Sequence, residues 1–208
     1  MFVLTLLALV VVAQRAGFPM EKAIWSTEAT SLLYPYETRR LEIAAPDKRK
    51  FVVIKGVTMQ VVMDGNPLSG IEDEGVGTLA ELAWSPDSSA FFITESDGGL
   101  VGTWDTRVYL IEGNRVRRAY VSQEVAKRFK TTYKCREPEE PNIGGIRWIE
   151  GSQRLLLVAE VPPHSSCRDM GKIRGYIVRM PTGKITRELD EKTLVAQWGQ
   201  WLGVRLKD

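Results

Sequence analysis

The chain has 208 residues, 44% of them hydrophobic and 26% charged, and its formal net charge is +2. The length fits one domain with a sizeable core, or one domain plus a tail, and the composition is ordinary for a globular protein. A net charge this small produces no strong overall field, so the composition does not favour nucleic acid as a partner.

The first stretch, residues 1–13, is uncharged and almost entirely apolar. It is too short to span a bilayer as a helix, and the small residue Ala13 before Gln14 is typical of a signal-peptidase site. We therefore predict that residues 1–13 are a cleaved export signal. The mature protein is then periplasmic or secreted, with no transmembrane span. An uncleaved anchor and a buried N-terminal strand are the alternatives.

An N-terminal segment, residues 14–38, follows the apolar stretch and mixes polar and apolar residues. Residues 21–25 have the pattern of a helical turn, and residues 32–34 have the pattern of a strand. Pro35 limits this strand to the edge of a sheet. We expect the strand to complete the last of the three repeated units described next.

The middle of the chain, residues 78–122, contains four strand-like runs separated by turn signals. The sharpest turn is Ser85-Pro86-Asp87-Ser88-Ser89, where proline fixes φ and the polar side chains bond back to the backbone. A second turn lies at Gly113. Four strands in about 44 residues are the size of one propeller blade. The same order of strands and turns recurs at about residues 39–70 and 144–190.

The repeated unit carries a recognisable motif. Trp84-Ser85-Pro86-Asp87 before an apolar strand, followed by Val108-Tyr109-Leu110 before a glycine turn, resembles the WD-like repeat of TolB-type periplasmic β-propeller proteins. The flanking units keep part of this motif: Pro46-Asp47 in the first and Trp148 with its turn in the third. The resemblance implies a β-repeat domain over residues 39–208.

The expected fold class is all-β, with three propeller-like, four-stranded antiparallel units. A closed propeller usually needs at least four blades. We therefore expect a partial or irregular propeller, with a β-sandwich as the alternative and completion in an oligomer as a further one. Such repeats occur in binding proteins and in enzymes alike, so the fold by itself says little about activity.

Two further elements are predicted outside the repeated strands. Gln123 to Lys130 has the pattern of a short amphipathic helix, with Val125, Ala126 and Phe129 on one face. The tail, residues 193–208, is apolar but irregular, and we expect it to form a strand that packs on a sheet.

Cys135 and Cys167 are the only cysteines. In an exported chain, two cysteines are expected to pair, so we predict a disulfide between them. Two free thiols are one alternative. A metal site is the other, with His164 and Asp169 as additional ligands, although zinc sites usually show two closely spaced ligand pairs and only one is present here.

No set of residues forms a recognisable active site. The carboxylates cluster in loops, at residues 72–74, at Asp97 with Asp105, and at Glu137, Glu139 and Glu140. Loop acids are usually solvated, and so is a lone loop histidine such as His164. We predict no catalytic residues, no metal and no cofactor. An exported hydrolase with a site built from blade loops is the alternative.

One stretch is rich in basic residues. Its cations are candidates for contact with an anionic partner: Arg115, Arg117, Arg118, Lys127, Arg128 and Lys130. The alternative is an edge strand that its charges keep soluble and unpaired. Together the patterns predict an exported, non-catalytic β-propeller-like protein that binds a protein or a cell-envelope glycan.

Overall fold

The computed structural model describes residues 23–32, 40–72, 74–77, 79–98, 102–133, 135 and 139–207. The predicted export signal therefore lies outside the described residues. Within them the fold is all-β, as predicted, with three antiparallel sheets. No helix in this part of the chain has the length and apolar character needed to cross a membrane.

The three sheets follow one another along the chain, and neighbouring strands in each are antiparallel. A two-residue strand, β1 (Thr30–Ser31), precedes them. The first sheet contains β2 (Arg40–Ala44), β3 (Lys50–Lys55), β4 (Thr58–Met63) and β5 (Asn66–Pro67). The second contains β6 (Ala80–Trp84), β7 (Ala90–Ser96), β8 (Trp104–Glu112) and β9 (Arg115–Ala119). The third contains β10 (Asn142–Ile149), β11 (Arg154–Glu160), β12 (Ile173–Arg179) and β13 (Lys184–Leu189).

Two helices flank the third sheet. Helix α1 (Ser122–Lys130) connects β9 to β10 and buries Val125 and Phe129, which confirms the predicted amphipathic helix. Helix α2 (Glu191–Trp198) follows β13, and short 3-10 turns at Gly199–Trp201 and Val204–Leu206 complete the tail. The predicted tail strand is wrong because the side chain of Asp190 accepts the backbone N–H of Thr193 at 2.7 Å and caps a helix there.

The sheets stack face to face, with apolar layers between them. Strand β7 lies inside the stack, so its neighbouring residues Phe91 and Phe92 are both fully buried, on opposite faces. Phe91 packs in the layer shared with the first sheet, and Phe92 in the layer shared with the third sheet and α1. A third layer covers the other face of the third sheet with α2, the 3-10 turns and Trp25.

One contact recurs between successive sheets. The indole Nε1 of Trp84 donates to the backbone carbonyl of Ile43 at 3.2 Å, and that of Trp148 donates to the carbonyl of Ala83 at 3.1 Å. Ile43 and Ala83 are the penultimate residues of β2 and β6, respectively. The motif tryptophans therefore join each sheet to the one before it.

The turns between the first two strands of each sheet also touch. The Ser88 hydroxyl accepts the backbone N–H of Asp47 at 2.9 Å. The Asp87 carboxylate accepts the hydroxyl of Ser152 at 2.9 Å and its backbone N–H at 3.1 Å. The Pro-Asp turns predicted from the sequence thus link the sheets along one rim of the stack.

Strand β2 has exposed side chains on the face turned away from the second sheet. Arg40, Glu42 and Ala44 alternate with the inward-facing residues of β2 and are all exposed. The equivalent positions of β6 hold alanine, leucine and Trp84. On the same outer face of the first sheet, Val53 lies opposite Glu42 and is buried.

The N-terminal segment joins a different sheet from the one expected. Strand β1 pairs with β6, and the backbone N–H of Leu32 donates to Ala80 at 2.8 Å, so residues 30–32 extend the second sheet instead of the last. Residues 33 and 34 of the predicted strand lie outside the described residues. The described part of the predicted helical turn, residues 23–25, forms bends. The carboxylate of Glu81 accepts the backbone N–H groups of Ile24 and Trp25 there.

Candidate functional site

The two ends of the sheets differ in the length of their connections. At the end where Glu160 lies opposite both Asn142 and Ile173, four connections are long, and only the β3–β4 turn is short. The long connections are residues 68–79, 97–103, 131–141 and 161–172. We call this the long-loop rim. The opposite end carries the Pro-Asp turns and short hairpins. Because binding residues concentrate on loops held by a rigid framework, the long-loop rim is the candidate functional surface.

A disulfide fastens two of these loops. Cys135 and Cys167 are bonded, with their Cα atoms 5.1 Å apart, which confirms the predicted pair. The bond ties the segment after α1 to the loop between β11 and β12. It also excludes the alternative in which both thiols bind a metal with His164. Among the described residues, no group of three or more His, Cys, Asp or Glu side chains has a metal-binding arrangement.

A shallow cleft, open to solvent, lies beside the disulfide. Its walls come from the end of α1, the segment that follows it and the start of the β11–β12 loop. The lining is mainly apolar, and its three hydrophilic residues are Lys130, Glu139 and Ser165. The other described residues of the lining are Phe129, Tyr133, Cys135, Pro141, Val161 and Pro162. Partial burial raises the pKa of Tyr133 above its ordinary value, and its hydroxyl donates to the backbone carbonyl of Ile173 at 3.3 Å.

Arg107 lies at the centre of a second polar cluster at the same rim. Its Nη1 donates to Glu74 at 2.6 Å and its Nη2 donates to Glu95 at 2.7 Å. The Tyr109 hydroxyl also donates to Glu74, at 3.0 Å, and burial raises the pKa of this tyrosine. Both carboxylates are therefore engaged in bonds that hold the connector before β6 against the second sheet.

Asp97, Asp105 and His164 do not form one cluster. Asp97 closes its own loop by accepting the backbone N–H of Thr103 at 2.7 Å. Asp105 is exposed and lies opposite Glu95 in the β7–β8 pair. His164 is an exposed loop residue. The structure brings Glu74 and Glu95 together instead. The alternative, an exported hydrolase with a site built from blade loops, stays a prediction.

The candidate basic patch is largely neutralised by neighbouring acids. Alternate side chains of a strand point to opposite faces, so Arg117 and Arg118 of β9 do not share one face. Within the described part of the chain, Arg115 and Lys127 have no carboxylate within 4 Å. The other four cations form ion pairs: Arg117 with Glu112, Arg118 with Glu74, Arg128 with Glu188 and Lys130 with Glu140. Contact of these six residues with an anionic partner stays a prediction.

The sequence analysis did not identify two buried glutamates, Glu81 and Glu160. Glu81 is fully buried; its burial raises the pKa, and the hydrogen bonds from the backbone of residues 24–26 oppose that rise. Glu160 is almost fully buried and pairs with Arg205 at 2.8 Å. A single glutamate within an apolar strand is a sequence signal for a partnered buried carboxylate, because unpaired burial is too costly.

Comparison of the chain with models of known protein families, with curated protein sequences and with solved structures finds no match. The likeness to the TolB-type repeat therefore rests on the residues of the motif.

Proposed function

We propose that the protein is an exported, non-catalytic β-repeat protein of the TolB-like propeller type that binds a protein or a cell-envelope glycan at its long-loop rim. The disulfide is compatible with export, because such bonds persist in oxidising compartments. The apolar stretch at residues 1–13 favours the same location.

The observation that carries the binding proposal is the disulfide-fastened cleft. Two long loops meet there, one bond holds them together, and the three-sheet stack supports them from below. A mostly apolar, preformed concavity with a few polar groups is the usual form of a binding site. The tight turns at the opposite rim leave less chain for contact with a partner.

Site-specific photo-crosslinking in cells tests the proposal. A benzophenone amino acid is placed at Met170, which is 57% exposed on the β11–β12 loop. The matched control carries it at Thr182, which is exposed in the short β12–β13 turn. If the partner is a protein, we expect a crosslinked product from the probe at Met170 only. If the partner is a glycan, we expect only the probe at Met170 to hold the protein on isolated cell-envelope glycan. Equal products from both sites, or none from either together with no retention, would contradict the proposal.

The location is tested separately by thiol labelling. Cells are quenched in acid and treated with a maleimide before and after reduction. We expect labelling of Cys135 and Cys167 only after reduction, since the export proposal places them in an oxidising compartment. Full labelling without reduction would contradict export.

A further inference from the structure

The outer face of the third sheet carries a row of cations at the end opposite the long-loop rim. Arg154 of β11 lies opposite Arg179 of β12, and Arg179 lies opposite Lys184 of β13. Val178 packs in the layer shared with the second sheet, so its neighbour Arg179 points to the other, outer face. Arg179 and Lys184 are exposed. The three cations therefore lie side by side, at the strand spacing of about 4.8 Å.

Most of the charge in this region is not compensated. Arg154 forms a partly exposed ion pair with Glu150 at 3.4 Å. Arg187 of β13 is on the same face and donates to the amide of Gln197 at 3.2 Å. Residues 139–207, which form this sheet and its cover, are described without a gap, and no carboxylate of the described chain lies within 4 Å of Arg179, Lys184 or Arg187. Like charges directly opposite each other lower the stability of a sheet.

The corresponding positions of the second sheet are apolar. Counted from the motif tryptophans, Arg154 corresponds to Ala90 and Arg179 to Leu110. Exposed positions of the third sheet need polar residues, but they do not need charges of one sign, because mixed charges also keep a surface soluble. The row of like charges therefore indicates an anionic partner.

Apolar side chains are exposed on the layer that covers the rest of this face. Val195 of α2 is 50% exposed, and Val204 of the last 3-10 turn is 38% exposed. The rings of Trp198 and Trp201, 5.3 Å apart at their centroids, are half-buried. Tryptophan and aliphatic residues combined with lysine and arginine are typical of a surface that lies in a membrane interface.

The apolar N-terminal stretch joins the fold at the same layer. Residues 23–27 run through it, and the backbone N–H of Thr27 donates to the carbonyl of Trp201 at 3.0 Å. Nine residues, 14–22, separate this segment from the predicted export signal. An export signal enters the membrane, so the outer layer of the third sheet is where the rest of the chain is joined to the membrane during export.

We propose that the outer face of the third sheet binds an anionic membrane surface. Arg179, Lys184 and Arg187 contact the lipid headgroups, and Val195 contacts the boundary with the acyl chains. The inference goes beyond the proposed function, because it concerns a different face and leaves the long-loop rim accessible. A lipid partner yields no crosslinked protein from the probe at Thr182, so the two proposals are tested independently.

Flotation of the full chain with lipid vesicles tests the proposal. One set of vesicles is phosphatidylcholine, and the other is equal parts of phosphatidylcholine and phosphatidylglycerol. We expect stronger binding to the anionic set, and high salt should remove the difference. Residues 1–13 have no charged side chain, so binding through them would not distinguish the two sets. Equal binding to both sets, or no binding to either, would overturn the proposal.

A double variant tests the row itself. Arg179→Gln with Lys184→Gln should weaken binding to anionic vesicles about 25-fold, from about fivefold for each cation. Arg115→Gln with Lys127→Gln is the matched control, because it removes two exposed cations that also lack a carboxylate partner among the described residues. The control should bind like the wild type. Equal losses in the two double variants would show attraction by net charge alone and would overturn the assignment to this face.

An apolar variant separates a membrane from a soluble polyanion. Val195→Asn should weaken vesicle binding about three- to tenfold, because less apolar surface leaves water. Val57→Asn, at an exposed position of the β3–β4 turn, is its control and should have no effect. Binding of poly-L-glutamate that requires Arg179 and Lys184, with no binding to vesicles, would show an acidic polymer as the partner and overturn the proposal.

Lys184→Glu tests the repulsion within the row. It places a carboxylate opposite Arg179, so the melting temperature should rise while binding to anionic vesicles falls. A lower melting temperature, or unchanged vesicle binding, would contradict the proposal.

Discussion

The indole Nε1 of Trp148 donates to the backbone carbonyl of Ala83 across 3.1 Å and so joins the third sheet to the second. Trp84 makes the corresponding bond to Ile43 and joins the second sheet to the first. The outer face of the first sheet has Ala44 where Trp84 stands in the second. The same contact therefore joins the successive sheets of the stack.

We expect Trp148→Phe to lower the free energy of unfolding by about 1–2 kcal/mol, because phenylalanine keeps much of the ring but loses the hydrogen bond between the sheets. Urea denaturation at equilibrium measures the change. The control is Trp198→Phe: the Nε1 of Trp198 is buried without a hydrogen-bond partner among the described residues, so its replacement should cost less. Equal losses at both positions would argue against a role for the Trp148 bond.

Gly144→Ala should lower the free energy of unfolding by about 1–3 kcal/mol, the usual cost of overpacking. A Cβ at this position would overlap the ring of Trp25, and one at Gly145 would lie 2.6 Å from the ring of Phe92. At Gly199 the nearest neighbour of a Cβ would be 3.7 Å away. Gly199→Ala is therefore the control and should fold with nearly unchanged stability in the same denaturation assay.

Asp87 gives a pH-dependent prediction. Its partial burial would raise the pKa, but hydrogen bonds from Ser85, Ser89 and Ser152 outweigh burial and hold the pKa below its ordinary value of 3.8. Because the folded pKa is depressed, the resulting stability is present above the ordinary value and is lost as pH falls toward the folded pKa. Asp87→Asn should therefore destabilise the protein at pH 7 by at most about 1 kcal/mol, because Asp87 is exposed and solvent screens its bonds.

The pH dependence of that difference is the decisive measurement. The stabilities of the wild type and of Asp87→Asn, measured by thermal unfolding, should converge as pH falls below about 4, where the carboxylate of the unfolded chain begins to protonate while that of the folded protein stays charged. Asp105→Asn, at an exposed position, is the control and should change the stability at pH 7 less than Asp87→Asn does. A gap between wild type and Asp87→Asn that persists unchanged at low pH would contradict the prediction.

The Glu160–Arg205 ion pair fastens the end of the chain to the third sheet. Arg205 donates to Glu160 and lies over the rings of Trp25 and Trp104, at 5.2 and 5.7 Å from their centroids. We expect Arg205→Met to cost about 3–5 kcal/mol of stability, since it leaves a buried carboxylate without its cation. The exposed pair Arg40–Glu42 supplies the control, because Arg40→Met should cost at most about 1 kcal/mol.

Loss of the disulfide should destabilise the protein without unfolding the sheets. The bond closes a loop with a sequence separation of 32, so replacing both Cys135 and Cys167 by serine should cost about 3–4 kcal/mol in the chain-entropy model. Reductant should lower the melting temperature of the wild type to a similar extent and leave that of the double variant unchanged. A reductant effect on the double variant would point to another cause.

Local features of the fold were predictable because their causes lie within a few residues. Pro86 and Asp87 set the turn before β7, and the apolar spacing of Val125 and Phe129 indicated α1. The disulfide was predictable because the chain has only two cysteines. Helix α2 had a local signal too: Asp190 followed by Glu191 is a helix N-terminal pattern, but the two tryptophans of the tail favoured a strand.

The sequence by itself determined the all-β class, the repeated unit, the turn residues and the cysteine pair. Only the tertiary structure decided that Leu32 bonds to the second sheet, that Glu81 binds the backbone before it, and that Lys130 and Glu139 meet at one cleft. These contacts join residues whose partners are chosen by burial and by the need to satisfy buried polar groups. Neither burial nor hydrogen-bond satisfaction depends on spacing along the chain, so no local sequence pattern encodes these contacts.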